Sequence, residues 1–361
     1  MPNSNFWTKS EKPIIGLAPM DGVTDASFRY MICKHSKPSV VITEFTNVEG
    51  LARGNVRGLA AFIYDEIERP VVAQIFGVEP DSYYKAAVLL CSLGFDGIDI
   101  NMGCPVTKVA AKGSGAALIK TPELAKKLVI MTKKGVKDWA EGISLEEAGV
   151  NQDMIEAVKK NKDWFPKIIS KKSERKIIPV SVKTRIGYDK IVAEEWVKHL
   201  LEVEPANITM HGRTLKQLYM GLANWEEIAK ACKVVKASGL NTTFLGNGDV
   251  KSMDDANEKV KQYGVDGVLV GRAVFGNPYF FAGREPTIKE GLEAAIEHTK
   301  YFEKLNHVNF QNIRKHLGWY VKGFEGAKEL RINLMQLENA QDVEMEIRPV
   351  LDSLNDGPRL Q

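Results

Sequence analysis

What most restricts the fold of this 361-residue sequence is a repeat of short β-prone runs, each followed by a proline, an amide, a cation or a glycine. The runs are Ile14 to Leu17, Val40 to Thr43, Val71 to Phe76, Gly97 to Ile100, Pro179 to Lys183, Asn207 to Met210, Thr243 to Leu245 and Gly267 to Val270. Stretches with apolar residues at helical spacing separate most of them: Asp81 to Leu93, Thr121 to Lys133, Ala193 to Leu201, Trp225 to Val234 and Met253 to Gln262. Such alternation implies parallel pairing, because a crossover helix returns the chain to the same end of the sheet. Eight units in roughly 250 to 300 residues predict an α/β fold, a (β/α)8 TIM barrel. An open doubly wound sheet would more often carry a glycine-rich turn after its first strand, and Ala18-Pro19-Met20-Asp21-Gly22 is no such fingerprint.

In a barrel of this kind the residues that follow the strands share one mouth. Those positions hold Pro19 and Met20, Glu44, Gln74, Asn101 with Cys104, Lys183 with Arg185, His211 with Arg213, Asn247 with Asp249, and Gly271 with Arg272. Packing alone would not select that set. In Asn101-Met102-Gly103-Cys104-Pro105 an amide, a turn glycine and a thiol are delivered together to a loop.

At 44% hydrophobic and 26% charged residues, the chain can bury one large domain and a smaller one. Met1 to Pro13 is polar, and no apolar run approaches the roughly 18 residues of a membrane span, so a cytoplasmic protein with no membrane partner is expected. A monomer is expected as well. Four scattered cysteines make neither a disulfide framework nor a metal cluster. Cys33, Cys91 and Cys232 fall in helical patterns and read as small buried apolar residues, while Cys104 lies in a loop where cations can tune it. The net charge of +3 is too mild to indicate a nucleic-acid partner, so basic clusters matter more. One runs from Lys159 to Lys176, and another from Arg314 to Arg331 is interleaved with Trp319, Tyr320 and Phe324.

The expected organisation is a barrel domain over residues 1–285 and an all-helical domain over 286–361. The latter reads as Ile288 to Leu305, Phe310 to Phe324, and Gly326 to about Leu354, broken by glycines and by Pro349. Residues of about 135–176 are too many for an ordinary helix-to-strand connection and read as an insertion at the barrel face opposite the mouth, its lysines a solvated surface.

Six ordered motifs then carry a resemblance: Ala18-Pro19-Met20-Asp21-Gly22-Val23-Thr24-Asp25, Asp99-Ile100-Asn101-Met102-Gly103-Cys104-Pro105, Val182-Lys183-Thr184-Arg185, His211-Gly212-Arg213-Thr214, Gly246-Asn247-Gly248-Asp249 and Gly271-Arg272-Ala273. In this order they resemble the bacterial-type tRNA-dihydrouridine synthase family, from about residue 13 to 283, and Lys315-His316-Leu317-Gly318-Trp319-Tyr320 extends the likeness into the tail. The insertion is a departure from the pattern, as is a tail whose summed charge is not basic. The resemblance implies bound FMN, NADPH as reductant, and reduction of the C5=C6 bond of a uridine in tRNA, with hydride passing from reduced FMN to C6. No metal is implied.

On that reading Gly248, Asp249, Gly271 and Arg272, with Asn247, hold the flavin phosphate and ribityl chain, although paired tight turns explain the same glycines. Lys183 favours the reduced flavin, or is a rim salt bridge. Pro19, Met20 and Asp21 lie along the flavin, or pack. Gln74, assigned to the cofactor, and Asn101, assigned to the substrate, suit ring edges or tie strand ends together. His211 bonds the flavin or is a satisfied interior histidine. Cys104 is the general acid that protonates C5. Arg185 and Arg213 at the mouth, Lys108 and Lys112 on a loop that closes over the base, and Arg314 and Lys315 in the tail contact the RNA, or the tail charges are a solvated face. Two rivals remain: an FMN barrel of the dihydroorotate dehydrogenase kind acting on free pyrimidines, and a non-catalytic RNA-binding barrel.

Overall fold

Side chains along the strands alternate between two surroundings, as a pleated strand requires. Ile14, Val40, Ile42, Val72, Leu245 and Leu269 gather with Trp7 in one apolar cluster. Ile15, Val41, Val71, Ala73, Phe244 and Val268, offset by one residue, join a second and larger cluster. The first set fills the interior of a ring and the second seats the helices around it. The structure, a computed structural model, describes residues 5–169, 171–305 and 309–354.

After a short helix α1 (Phe6–Lys9) come β1 (Ile14–Leu17), α2 (Ala26–His35), β2 (Val41–Asn47), α3 (Val48–Ala52), β3 (Val71–Phe76), α4 (Pro80–Ser92) and β4 (Gly97–Met102). The chain continues through α5 (Thr107–Ala110), α6 (Pro122–Glu141), α7 (Gln152–Lys160), β5 (Val180–Gly187), α8 (Ala193–Leu201), β6 (Asn207–Thr214), α9 (Trp225–Ala237), β7 (Thr243–Asn247), α10 (Met253–Tyr263) and β8 (Gly267–Val270). Among the described residues the eight strands close into a barrel in sequence order, with β1 parallel to β8. This is the (β/α)8 barrel expected from the alternation of runs. No helix of the described residues is long and apolar enough to cross a membrane.

Several strands outrun their sequence-based limits. Polar side chains at their ends do not stop the ladder, because they lie side by side on neighbouring strands at the mouth: Asn101 pairs in register with Lys183, Arg185 with His211, and His211 with Asn247. Helix α6 also runs past the expected break at Gly135 to Glu141. Gly135 is a contact glycine, not a stop. A Cβ there would lie 2.5 Å from the carbonyl oxygen of Tyr84 in α4, and the buried stripe Leu128, Thr132, Val136, Trp139 continues across it.

The extra segment thus starts after α6. Met154, Ile155, Val158, Phe165 and Ile169 bury it against the barrel, and the Ile169 N–H donates to Ser92 O just before β4. Lys159, Lys160, Lys162, Lys167, Lys171 and Lys172 are exposed.

The C-terminal helices are α11 (Ile288–Leu305), α12 (Arg314–Tyr320), α13 (Ala327–Leu334) and α14 (Ala340–Ser353). The third expected segment is therefore two helices, and Pro349 lies inside the second. The apolar row Val343, Ile347, Leu351 is buried on both sides of the proline, and that burial outweighs one missing N–H. These helices share a core of Leu292, Leu317, Tyr320, Leu330, Leu334 and Ile347 that also takes in Met31 of α2. A polar seam joins them to the barrel: Ser27 Oγ lies 2.7 Å from Asp25 Oδ1 and 2.8 Å from His298 Nε2, and Tyr320 OH lies 3.2 Å from His298 Nδ1.

Candidate active site

Inward positions of β3, β4 and β5 carry a chain of hydrogen bonds that ends on the cysteine loop. Ser181 Oγ donates to Asp99 Oδ1 at 2.7 Å, and Gln74 Nε2 donates to Asp99 Oδ2 at 2.8 Å. Asn101 Nδ2 donates to Gln74 Oε1 at 2.9 Å, while Asn101 Oδ1 accepts from the N–H groups of Gly103 and Cys104 at 3.0 and 2.8 Å. Gln74 is 0% exposed, and both ends of its amide are engaged within the protein. Burial pushes the Asp99 carboxyl up to about 6, against the pull of Ser181, Gln74 and Lys183.

Cys104 is 6% exposed. Burial raises its thiol above the ordinary value; a hydrogen bond from the Val106 N–H opposes this, Asp21 adds to it, and Arg185 and Lys183 oppose it. The group is therefore a thiol at neutral pH. Lys183, register partner of Asn101, is lowered to about 8 by burial and by Arg185, with Asp99 and Cys104 acting in the other sense.

On β6, burial and then the cations Arg185, Lys183, Arg213 and Arg272 hold the imidazole of His211 well below its ordinary value, so it is neutral. Its Nε2 lies 3.3 Å from Arg213 Nη1, and since a guanidinium only donates, Nε2 accepts and the proton is assigned to Nδ1. Arg213 Nη2 donates to both carboxylate oxygens of Asp249 at 2.9 and 2.7 Å. Burial disfavours the charge of Asp249, yet the Ala223 N–H and the Arg213 guanidinium together keep its carboxyl below the usual range. Arg272 approaches Asp249 at 3.3 Å. Asn247 Nδ2 donates to Leu269 O at 2.8 Å. Gly248 has φ +124°, and a Cβ there would lie 2.7 Å from Ala223 Cβ, so no side chain fits. A Cβ on Gly271 would meet nothing nearer than Met20 Sδ at 3.6 Å, which leaves open space between the turn after β8 and the loop after β1.

The remaining positions named from sequence fall into three groups. Pro19 and Met20 are half-buried at the mouth, and Asp21 beside them is raised by burial and lowered by Lys315. Lys315 Nζ donates to Gly22 O, so the tail reaches the rim of the barrel there. Arg185 is buried beneath the rim, with Nε on Gly103 O at 2.6 Å and Nη1 on Thr214 O at 3.2 Å. Lys108 and Lys112 are exposed on and just after α5. Arg314 turns into the tail, donating to Leu337 O at 3.1 Å, away from the mouth. Sequence reasoning passed over Asp99 and Ser181. Period-two alternation places Asp99 on the same face as Asn101, and that was the available signal. Glu44 falls at the mouth as well, its carboxyl pushed up to about 7 by burial and by Asp25 and Asp21.

A closed parallel barrel with a protonated thiol, a lysine of lowered basicity and a neutral histidine at the C-terminal mouth of its strands defines the class: a (β/α)8-barrel enzyme. The chain belongs to the dihydrouridine synthase family, whose model matches residues 16–140 and 150–355. Only residues 141–149 lie between the two matched stretches, so most of the segment expected to be foreign to the family falls inside the match.

The chain is 35% identical over 358 residues to a probable tRNA-dihydrouridine synthase of Staphylococcus aureus (strain MRSA252), covering 96% of this chain and 95% of that one. It is 32% identical over 358 residues to probable tRNA-dihydrouridine synthase 2 of Bacillus subtilis (strain 168), covering 96% of each. Among solved structures, DHODH from Eimeria tenella in complex with ferulenol gives a TM-score of 0.48 at 12% identity, over 83% of this chain and 84% of that one. The old yellow enzyme from Trypanosoma cruzi gives 0.42 at 11%, over 76% and 90%.

Proposed function

We propose that this protein reduces the C5=C6 bond of a uridine in tRNA to 5,6-dihydrouridine, with FMN in the barrel mouth and NADPH as reductant. Family membership and the names of full-length relatives support the substrate. The observation that carries the chemistry is the pairing at the mouth: a thiol kept protonated by burial on the β4 loop, and a lysine lowered to about 8 on the neighbouring strand β5.

The residues present fit a phosphorylated flavin. Gly248 and Gly271 leave backbone where side chains would stand, cations surround them, and the buried Nε of Arg213 has no hydrogen-bond partner among the described residues. Asn247, Gly248, Gly271 and Arg272 would hold the phosphate and ribityl chain, with Asp249 fixing Arg213. Pro19, Met20, Asp21, Lys183 and His211 would surround the ring, and Gln74, expected from sequence to join them, instead stands behind Asn101 with its amide engaged at both ends. When bound, FMN supplies the hydride that adds to C6 of the uracil.

The chain's own groups do the rest. Cys104 Sγ–H gives its proton to C5, and the thiolate left behind takes a proton from solvent. Asn101 aims that loop through the Cys104 N–H, and Lys183, a cation below about pH 8, stabilises negative charge growing in the mouth. Lys108 and Lys112 serve the extruded nucleotide and its phosphates, Arg185 steadies the cysteine turn through Gly103 O, and Arg213 serves the flavin end of the site. The helices of residues 286–361, with Arg314 and Lys315, serve the RNA body.

Mass spectrometry of tRNA from a dihydrouridine-free strain expressing this chain tests the reading. Dihydrouridine is expected to reappear. Unmodified tRNA from cells that contain the FMN-loaded protein would overturn it.

A further inference from the structure

Large apolar side chains scattered singly over a surface are ordinary, but a run of them in one loop is not. Between β6 and α9, Tyr219, Met220 and Leu222 are 63%, 69% and 81% exposed, and Leu218 beside them is also exposed. The backbone beneath them is firmly tied. Arg185 Nη1 donates to Leu218 O at 3.4 Å, Arg213 Nη2 to Gly221 O at 2.6 Å, and the Lys216 N–H to Tyr188 O at 3.0 Å. Leu218 is held at φ +50°, in the left-handed region. An apolar loop held this rigidly in water is prepared for a partner.

Its surroundings are cationic. The Arg272 guanidinium lies 5.5 Å from the Tyr219 ring centroid, Lys216 is exposed within the loop, and Lys120 lies over the Tyr188 ring at 3.6 Å. Two carboxylates face them, Asp189 at 3.8 Å from Lys120 and Asp249 at 3.3 Å from Arg272. Arg185 also holds Gly103 O, so a single guanidinium joins this loop to the turn that carries Cys104. Aromatic and thioether faces set among cations at the edge of the barrel mouth match a strand of nucleobases and phosphates better than a protein surface.

We infer that the loop of residues 215–222 is a stacking platform for the bases flanking the uridine extruded into the mouth. The inference rests on the tRNA reading above. Removing the target base from its stack leaves its neighbours with exposed faces. Tyr219 and Met220 cover those faces, while Lys216 and Lys120 meet the adjoining phosphates.

The test uses FMN-loaded protein carrying Tyr219→Ala, Met220→Ser and Leu222→Ser, with unmodified tRNA transcript as probe. Affinity is expected to fall tenfold or more, as loss of base stacking implies, with melting temperature and NADPH-driven flavin reduction unchanged. Tyr219→Trp, which keeps a ring, is expected to bind as the parent does. A triple variant that binds as tightly as a tRNA-binding parent overturns the inference alone. A parent that binds no tRNA overturns the functional reading and the inference with it. A parent dimer that falls apart in the variant while tRNA affinity stays intact overturns it in favour of a second copy of this chain.

Discussion

Asn101 Oδ1 accepts the Cys104 N–H at 2.8 Å, so the side chain that ends β4 also shapes the turn presenting the thiol. Because Asn101 is itself held by Gln74, and Gln74 by Asp99, the position of the sulfur is set from the barrel interior. Asn101 Oδ1 takes the N–H groups of Gly103 and Cys104, and the N–H of Val106 is directed to the sulfur.

If Cys104 gives the proton to C5, Cys104→Ala should keep flavin and tRNA affinity and lose about 100-fold or more of dihydrouridine formation, the scale of general acid catalysis. Single-turnover measurement on unmodified tRNA decides the matter, and a variant within threefold of the parent would remove the assignment.

Lys183 holds its proton only up to about pH 8, so the charge it contributes fades through that region. The rate at which NADPH reduces the bound flavin should fall as pH rises through about 8. Lys183→Met should be slower, or retain less FMN, and show no such step. Stopped-flow absorbance reads both, and a step that persists in the variant belongs to another group.

For Asp99 the sign of the pH effect is fixed by its raised folded value of about 6 against an ordinary carboxyl near 4. Between those limits the native state binds more protons than the unfolded one, so stability from this group is present at low pH and is lost as pH rises through about 6. Asp99→Asn cannot titrate. Denaturant unfolding at about pH 4 and pH 7 should show the stability difference moving toward the variant by up to about 3 kcal/mol. A difference independent of pH would contradict the assigned shift.

Removing the guanidinium in Arg213→Ala leaves the Asp249 carboxylate without its bidentate partner and frees Gly221 O. A loss of about 1–3 kcal/mol is expected, together with weaker FMN retention. Calorimetry and flavin content of the purified variant read the two effects separately, and retention equal to the parent's would sever Arg213 from the cofactor site.

Gly135→Ala forces a methyl group toward the Tyr84 carbonyl between α6 and α4. Despite alanine's better helix propensity, this should destabilise by about 1–3 kcal/mol. An increase in melting temperature would show that the two helices can move apart.

The interior was legible from sequence wherever alternation was apolar. Ile14, Val72, Leu245 and Leu269 placed strands and faces without help from tertiary contacts. Strand ends were not, since Asn101, Arg185 and His211 read as loop by polarity and yet extend the ladder, each meeting a polar register partner that no local pattern reveals. Gly135 and Pro349 misled for a related reason. Their conformational habits are weak beside the burial of the rows that cross them. The cysteine loop stood out at once, while the Asp99 and Ser181 support behind it did not, because an acid inside an apolar run declares its partner only once β5 lies alongside.

Trp7 has a last consequence. It is wholly buried among the first inward side chains of the ring, so the base of the barrel is plugged. Whatever reaches the mouth must withdraw by the route it took in. On the proposed function, reductant and RNA would share one doorway, and steady-state kinetics should show them taking turns rather than sitting side by side.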